Sequence, residues 1–160
     1  AEPVWTDTER NGFTVTESSH FADGSVSTVS YPDFEAMAVA GDQGGKEVQA
    51  AKAGSSGRKY TYTSVAITWE NCKIEGVELG VTMAYRLNAT MVRGQSAKIT
   101  KVWDNQAAGA LVNLDHVAFG KISSTAARYQ VMVHRGVLGS HTQTLSSQIA
   151  SGGALTVKMY

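Results

Sequence analysis

"GVTMAYRLNATMV", residues 80–92, is the stretch on which the fold turns. From Val81 every second side chain is large and apolar: Val81, Met83, Tyr85 and Leu87. Between them stand Thr82, Ala84, Arg86 and Asn88. Successive side chains of a strand point to opposite faces, whereas residues two apart on a helix fall on opposite sides. The spacing therefore predicts a strand with one buried face.

The same rhythm extends in both directions. "ARYQVMVHRGVL" (residues 127–138) sets Tyr129, Val131 and Val133 against Arg128, Gln130, Met132 and His134. "KYTYTSVAITWE" (59–70) is rich in β-branched and aromatic residues and contains no proline, which favours a strand. "ALTVKMY" (154–160) keeps Leu155, Val157 and Met159 in step, and residues 14–31 alternate loosely, as an edge strand or hairpin would. Most of the 16 glycines fall between these runs, where turns need positive φ. One short helix is expected, over Lys46–Ala53 in "GKEVQAAKA". With no alternation of strands and helices, the pattern predicts an all-β, antiparallel β-sandwich spanning residues 1–160 as one domain.

Composition limits what such a domain does. No window reaches the roughly 18–20 apolar residues of a bilayer span, so no membrane partner is expected. Ala1-Glu2-Pro3 fits either a mature secreted terminus or a chain that has lost its initiator Met. The formal net charge of zero divides unevenly: residues 1–50 hold nine acids and two bases, and residues 51–160 hold twelve bases and five acids. That split suits either internal neutralisation or two surfaces that face different partners. Cys72 is the single cysteine, which leaves no internal disulfide and reads as a small buried hydrophobe.

Catalytic signatures are missing. His20, His116, His134 and His141 are too scattered for a local metal-ligand pair, and no nucleophile elbow, phosphate loop or dinucleotide fingerprint occurs. Asp104 and Asp115 are the candidate acid/base couple, although Asp104 in Trp103-Asp104-Asn105 reads more simply as a turn residue. No catalytic residue, metal or cofactor is expected. Asn88-Ala89-Thr90 matches the N-glycosylation pattern. Arg58, Lys59, Lys98, Lys101, Arg128 and Arg135 are dispersed bases. On one surface they would bind single-stranded nucleic acid through phosphates, without reading sequence.

Three segments in order resemble the coat proteins of small icosahedral viruses with a single jelly-roll subunit, notably those of circular single-stranded DNA viruses. They are "GSSGRKYTYTSVAIT" (54–68), "KVWDNQAAGALVNLDHVAF" (101–119) and "ARYQVMVHR" (127–135). The resemblance implies a jelly-roll sandwich, a viral capsid subunit in the virion, and a homo-oligomer of many copies. The chain departs from that family in lacking a basic N-terminal arm. The alternative is a secreted or cell-surface bacterial β-sandwich of pilin or adhesin type. For the shell, residues 104–120 are expected to carry subunit contacts, with Leu111 and Leu114 at the contact and Val117 and Phe119 in the core.

Overall fold

The computed structural model describes residues 2–12, 14–33, 48–49, 59–62, 66–92 and 94–160. Eight strands form the first sheet: β1 (Trp5–Asn11), β2 (Thr14–His20), β3 (Val26–Pro32), β4 (Val48–Gln49), β5 (Lys59–Tyr62), β6 (Ala66–Glu78), β7 (Val81–Val92) and β8 (Lys98–Gly109). The second sheet holds β9 (Asn113–Lys121), β10 (Ala126–His134), β11 (Ser140–Ile149) and β12 (Leu155–Met159), in the order β12-β11-β10-β9. All described pairings are antiparallel. The expected antiparallel sandwich is what these residues form.

Strand neighbours are mostly consecutive: β1-β2-β3, β6-β7-β8 and β9 to β12 each run as a meander. The long β6 departs from this. Along one edge it pairs with β3 at Glu75–Glu78 and with β5 at Ile67–Glu70, and along the other it pairs with β7. These pairings establish two antiparallel sheets; the interleaved order of a jelly-roll is not carried by them.

The alternation of residues 80–92 is realised directly. Val81, Met83, Tyr85 and Leu87 are fully buried, as are Trp69 and Ile74 of β6 and Leu145 of β11. Tyr129, Val131 and Val133 point inward, while Arg128 is exposed and Gln130 half-buried. Cys72 is buried, and its thiol donates to the Glu70 carbonyl at 3.7 Å. Across the core the Tyr85 hydroxyl donates to Ser147 Oγ at 2.6 Å, joining the sheets through two groups that would otherwise be buried unpaired. Close approach of the sheets also needs Gly76: a Cβ there would meet Met159 Sδ at 2.6 Å and Leu145 Cδ1 at 3.0 Å.

Three expectations are corrected. Val48 and Gln49 of the expected helix form β4, paired with Tyr60 and Lys59, so a tertiary ladder overrides a local helical preference; the rest of Lys46–Ala53 lies outside the described residues. Asp104 and Asn105 do not turn the chain. β8 runs on to Gly109, and Asp104 sits at φ 58° in a bulge opposite β7, where the register shifts between Ala84 and Arg86. A second positive-φ residue, Asn71 (φ 55°), marks the matching bulge of β6. Arg86 lies between the two and donates to Asp104 Oδ2 at 3.3 Å and to Asn71 Oδ1 at 3.1 Å. Val117 is 49% exposed and not core. The β9–β10 register slips there, pairing His116 with Val131 and Ala118 with Gln130, and a bulged residue loses its place in the alternation.

Candidate contact surfaces

The six basic candidates are not gathered on one surface. Lys98 and Lys101 are exposed on β8, opposite Thr90 and Asn88. Paired residues share a face, so both point outward from the first sheet, and Lys101 Nζ stands 4.8 Å from the Trp103 ring. Arg128 is exposed on the outer face of the second sheet, across the sandwich from them. Arg135 follows β10 and donates to the Leu79 carbonyl at 2.8 Å. Lys59 lies on β5, paired with Glu70, and Arg58 lies outside the described residues.

The other sequence candidates separate similarly. Asp104 of β8 is tied to Arg86, whereas Asp115 of β9 is 2.8 Å from His134 Nε2, so the two carboxylates belong to different sheets. His134 Nδ1 is also 2.7 Å from Ser140 Oγ. Serine, histidine and aspartate thus stand in a row across β11, β10 and β9. These are the residue types of a nucleophilic triad, but Asp115 is 74% exposed and the row forms no wall of the clefts described below. Cross-strand pairing on an open sheet face accounts for it. Among the described residues, no three His, Cys, Asp or Glu side chains converge on a point where a metal could sit. In the Asn88 glycosylation pattern, the Asn88 Oδ1 accepts from Asn71 N at 2.8 Å and the Thr90 hydroxyl donates to the Ile67 carbonyl at 3.1 Å. Both groups serve the sheet.

Leu111 and Leu114, expected at one contact, part company. Leu114 pairs with Val133 and is half-buried against the core. Leu111, at φ 59° in the β8–β9 turn, is fully exposed.

An open cleft follows the edge of β12. Among the described residues β12 pairs with β11 on one side only. Thr144 and Tyr160 exchange both backbone hydrogen bonds, at 2.6 and 2.9 Å. Because such pairs alternate along an antiparallel ladder, the N–H and C=O of Leu155, Val157 and Met159 point away from β11, towards the open side. β12 packs over β3 and β6, so β2 and β1 project beyond it. The space left is a cleft of about 380 Å³ lined by Glu17, Ser19, Phe21, Val29 and the Thr156–Tyr160 segment. A second hollow of about 160 Å³ lies between Val15, Tyr31, Arg10, Asp33 and Leu155.

Two polar pairs stand in these openings. The Tyr31 hydroxyl donates to Glu17 Oε1 at 2.8 Å. Burial first, and then the hydrogen bond and charge of Glu17, push the Tyr31 phenol well above its ordinary range. Arg10 and Asp33 form an ion pair at the rim. A separate polar depression of about 60 Å³ beside Arg86, Asp104 and Lys73 has room for a water or two and no more.

Sequence reasoning missed two features. One is the free edge of β12, since "LTVKM" reads identically as a central or an edge strand. The other is the set of apolar turn residues Leu79, Val137 and Leu138, which are 49%, 103% and 83% exposed. A leucine beside glycine in "VELG" (77–80) and "GVLG" (136–139) is the available signal, masked because glycine at a strand end indicates a turn and not what the turn exposes.

No protein family matches this chain, and no curated protein matches it in sequence. Among solved structures, it is similar to the hypothetical protein lmo2686 from Listeria monocytogenes EGD-e, at 16% identity and a TM-score of 0.48 over 92% of this chain and 94% of that one. A likeness at that level assigns no function.

Proposed function

We propose that this protein is a structural subunit without catalytic chemistry, and that it associates with copies of itself by strand addition at β12. The observation that carries the reading is the edge of β12, unpaired among the described residues, beside an open cleft. An unprotected edge is a template for another strand, and main-chain hydrogen bonds give such contacts their affinity. The projecting β1–β2 pair obstructs edge-to-edge pairing of two whole sheets and favours a lone incoming strand. β1 is the donor whose release costs the fold least, being paired on one side and exposed along its length. Donor and acceptor are then different surfaces, a head-to-tail contact that builds open chains or rings. This favours the pilin or adhesin form of the subunit over a closed shell; the shell form has the sequence resemblance to viral coat proteins behind it. Nucleic acid is left out of the proposal because Lys98 and Lys101 face away from Arg128.

Met159→Pro tests the contact. The Met159 N–H points away from β11, so proline there removes a donor from the free edge and leaves the β11 ladder intact. Light scattering of the wild type should rise with concentration and electron microscopy should show linear particles, while the folded variant stays monomeric. A wild type that remains monomeric at high concentration overturns the proposal; closed shells would instead support the coat-protein form.

A further inference from the structure

One end of the sandwich concentrates exposed apolar side chains on adjoining turns. The β6–β7 turn presents Leu79, the β8–β9 turn Leu111, and the β10–β11 turn Val137 and Leu138. Register places these turns together, since Val81 pairs with Gly109 and Asn113 with His134. Contacts confirm it: Arg135 Nη2 donates to the Leu79 carbonyl at 2.8 Å, and a Cβ on Gly109 would lie 3.4 Å from Gly80 O. Half-exposed Trp5, opposite His20 on β2, stands at the same end. At the other end the described residues of the turns around Gly94, Ser124 and Ser151 are mostly small and polar, with Ile122 as one exposed apolar side chain.

We propose that, against the expectation of no membrane partner drawn from the lack of a spanning segment, this end docks on the surface of a lipid bilayer with Leu79, Leu111, Val137 and Leu138 inserted there. Shape and size favour a bilayer over a protein partner. Leu111 and Val137 stand free at 102% and 103% exposure, as separate tips and not as walls of a groove. A rigid partner would need a pocket for each tip, and four side chains fall far short of the roughly 20–30 residues a side of a stable protein interface. A fluid bilayer accommodates convex tips, and each inserted side chain contributes on its own. The three turns carry one base, Arg135, which donates to the Leu79 carbonyl, and Asp115 lies beside His134, so they present no basic patch to anionic headgroups. Docking should therefore need no anionic lipid.

The test is flotation of the full chain with phosphatidylcholine vesicles at low and high salt. Wild type should float at both, and Leu111→Ser combined with Leu138→Ser should reduce vesicle partition at least about tenfold while remaining folded. Leu79→Asn should bind vesicles more weakly without loss of thermal stability, an effect that a purely structural role for Leu79 would not give. Met159→Pro should float like wild type, which keeps docking separate from strand addition. The proposal is overturned if wild type does not float, if the double variant floats equally, or if binding requires anionic vesicles and vanishes in salt. Loss of self-association in the double variant, without vesicle binding by wild type, would assign this end to contacts between copies.

Discussion

Leu79 and Leu111 hold φ angles of 48° and 59°, a region where a side chain costs roughly 1 kcal/mol or more outside glycine and asparagine. With Gly80 at φ 77°, Leu79 occupies the first central position of a type I′ turn, where asparagine is favoured. Leu79→Asn should therefore stabilise the fold by about 0.5–1 kcal/mol, raising the melting temperature a few degrees at most, as thermal circular dichroism would show. Tyr85 is the opposite case, a polar group the core requires. Tyr85→Phe leaves the Ser147 hydroxyl buried without its partner and should cost about 1–3 kcal/mol. Burial holds the Tyr85 phenol above its ordinary value of 10.0, partly countered by Ser147. The folded state thus keeps the proton more tightly than the unfolded chain does. Stability is complete below about pH 10 and is lost as pH rises beyond it; Tyr31, also raised, acts in the same direction. Chemical denaturation across alkaline pH should show a shallower decline for Tyr85→Phe.

Among the elements, β6 carries the most constraint. It is 13 residues long, pairs with two strands along one edge and β7 along the other, and bulges at Asn71. Gly76 lets β12 and β11 settle on it. Gly76→Val would displace the flexible ends of Met159 and Leu145, at a cost of about 1–3 kcal/mol for overpacking. Amide exchange should accelerate first in β12, the short edge strand held on one side; equal protection throughout β12 would show that Met159 moves aside freely. The bulges of β6 and β8 explain a misreading. Asp104 and Asn105 have turn chemistry, but here it serves a bulge held by Arg86, and only the partner strand distinguishes the two.

For the molecule as a whole, the cleft along β12 and the cluster of turn tips at Leu79, Leu111 and Leu138 are different surfaces with different physics. One offers directional backbone groups to an incoming strand; the other offers apolar area without direction. Their effects should accordingly add without coupling, since their defining substitutions share no partner. Met159→Pro should abolish concentration-dependent scattering and leave flotation intact, and the Leu111→Ser, Leu138→Ser double variant should do the reverse. A variant that abolishes both while remaining folded would show that assembly and docking use one surface.

The sequence by itself determined the class of fold and the inner face of its strands. Val81, Met83, Tyr85 and Leu87, and likewise Tyr129, Val131 and Val133, are buried as their spacing dictates, because a period of two maps directly onto the faces of a pleated strand. What only the tertiary structure decided is everything that depends on a neighbour in space. It placed β4 on β5, opened the edge of β12, exposed Val117 at a register slip and separated Leu114 from Leu111. It also set Lys98 and Arg128 on opposite faces. Alternation specifies which side of a strand is apolar; it does not specify which strand lies beside it, and edges, bulges and clustered turns arise from that second choice.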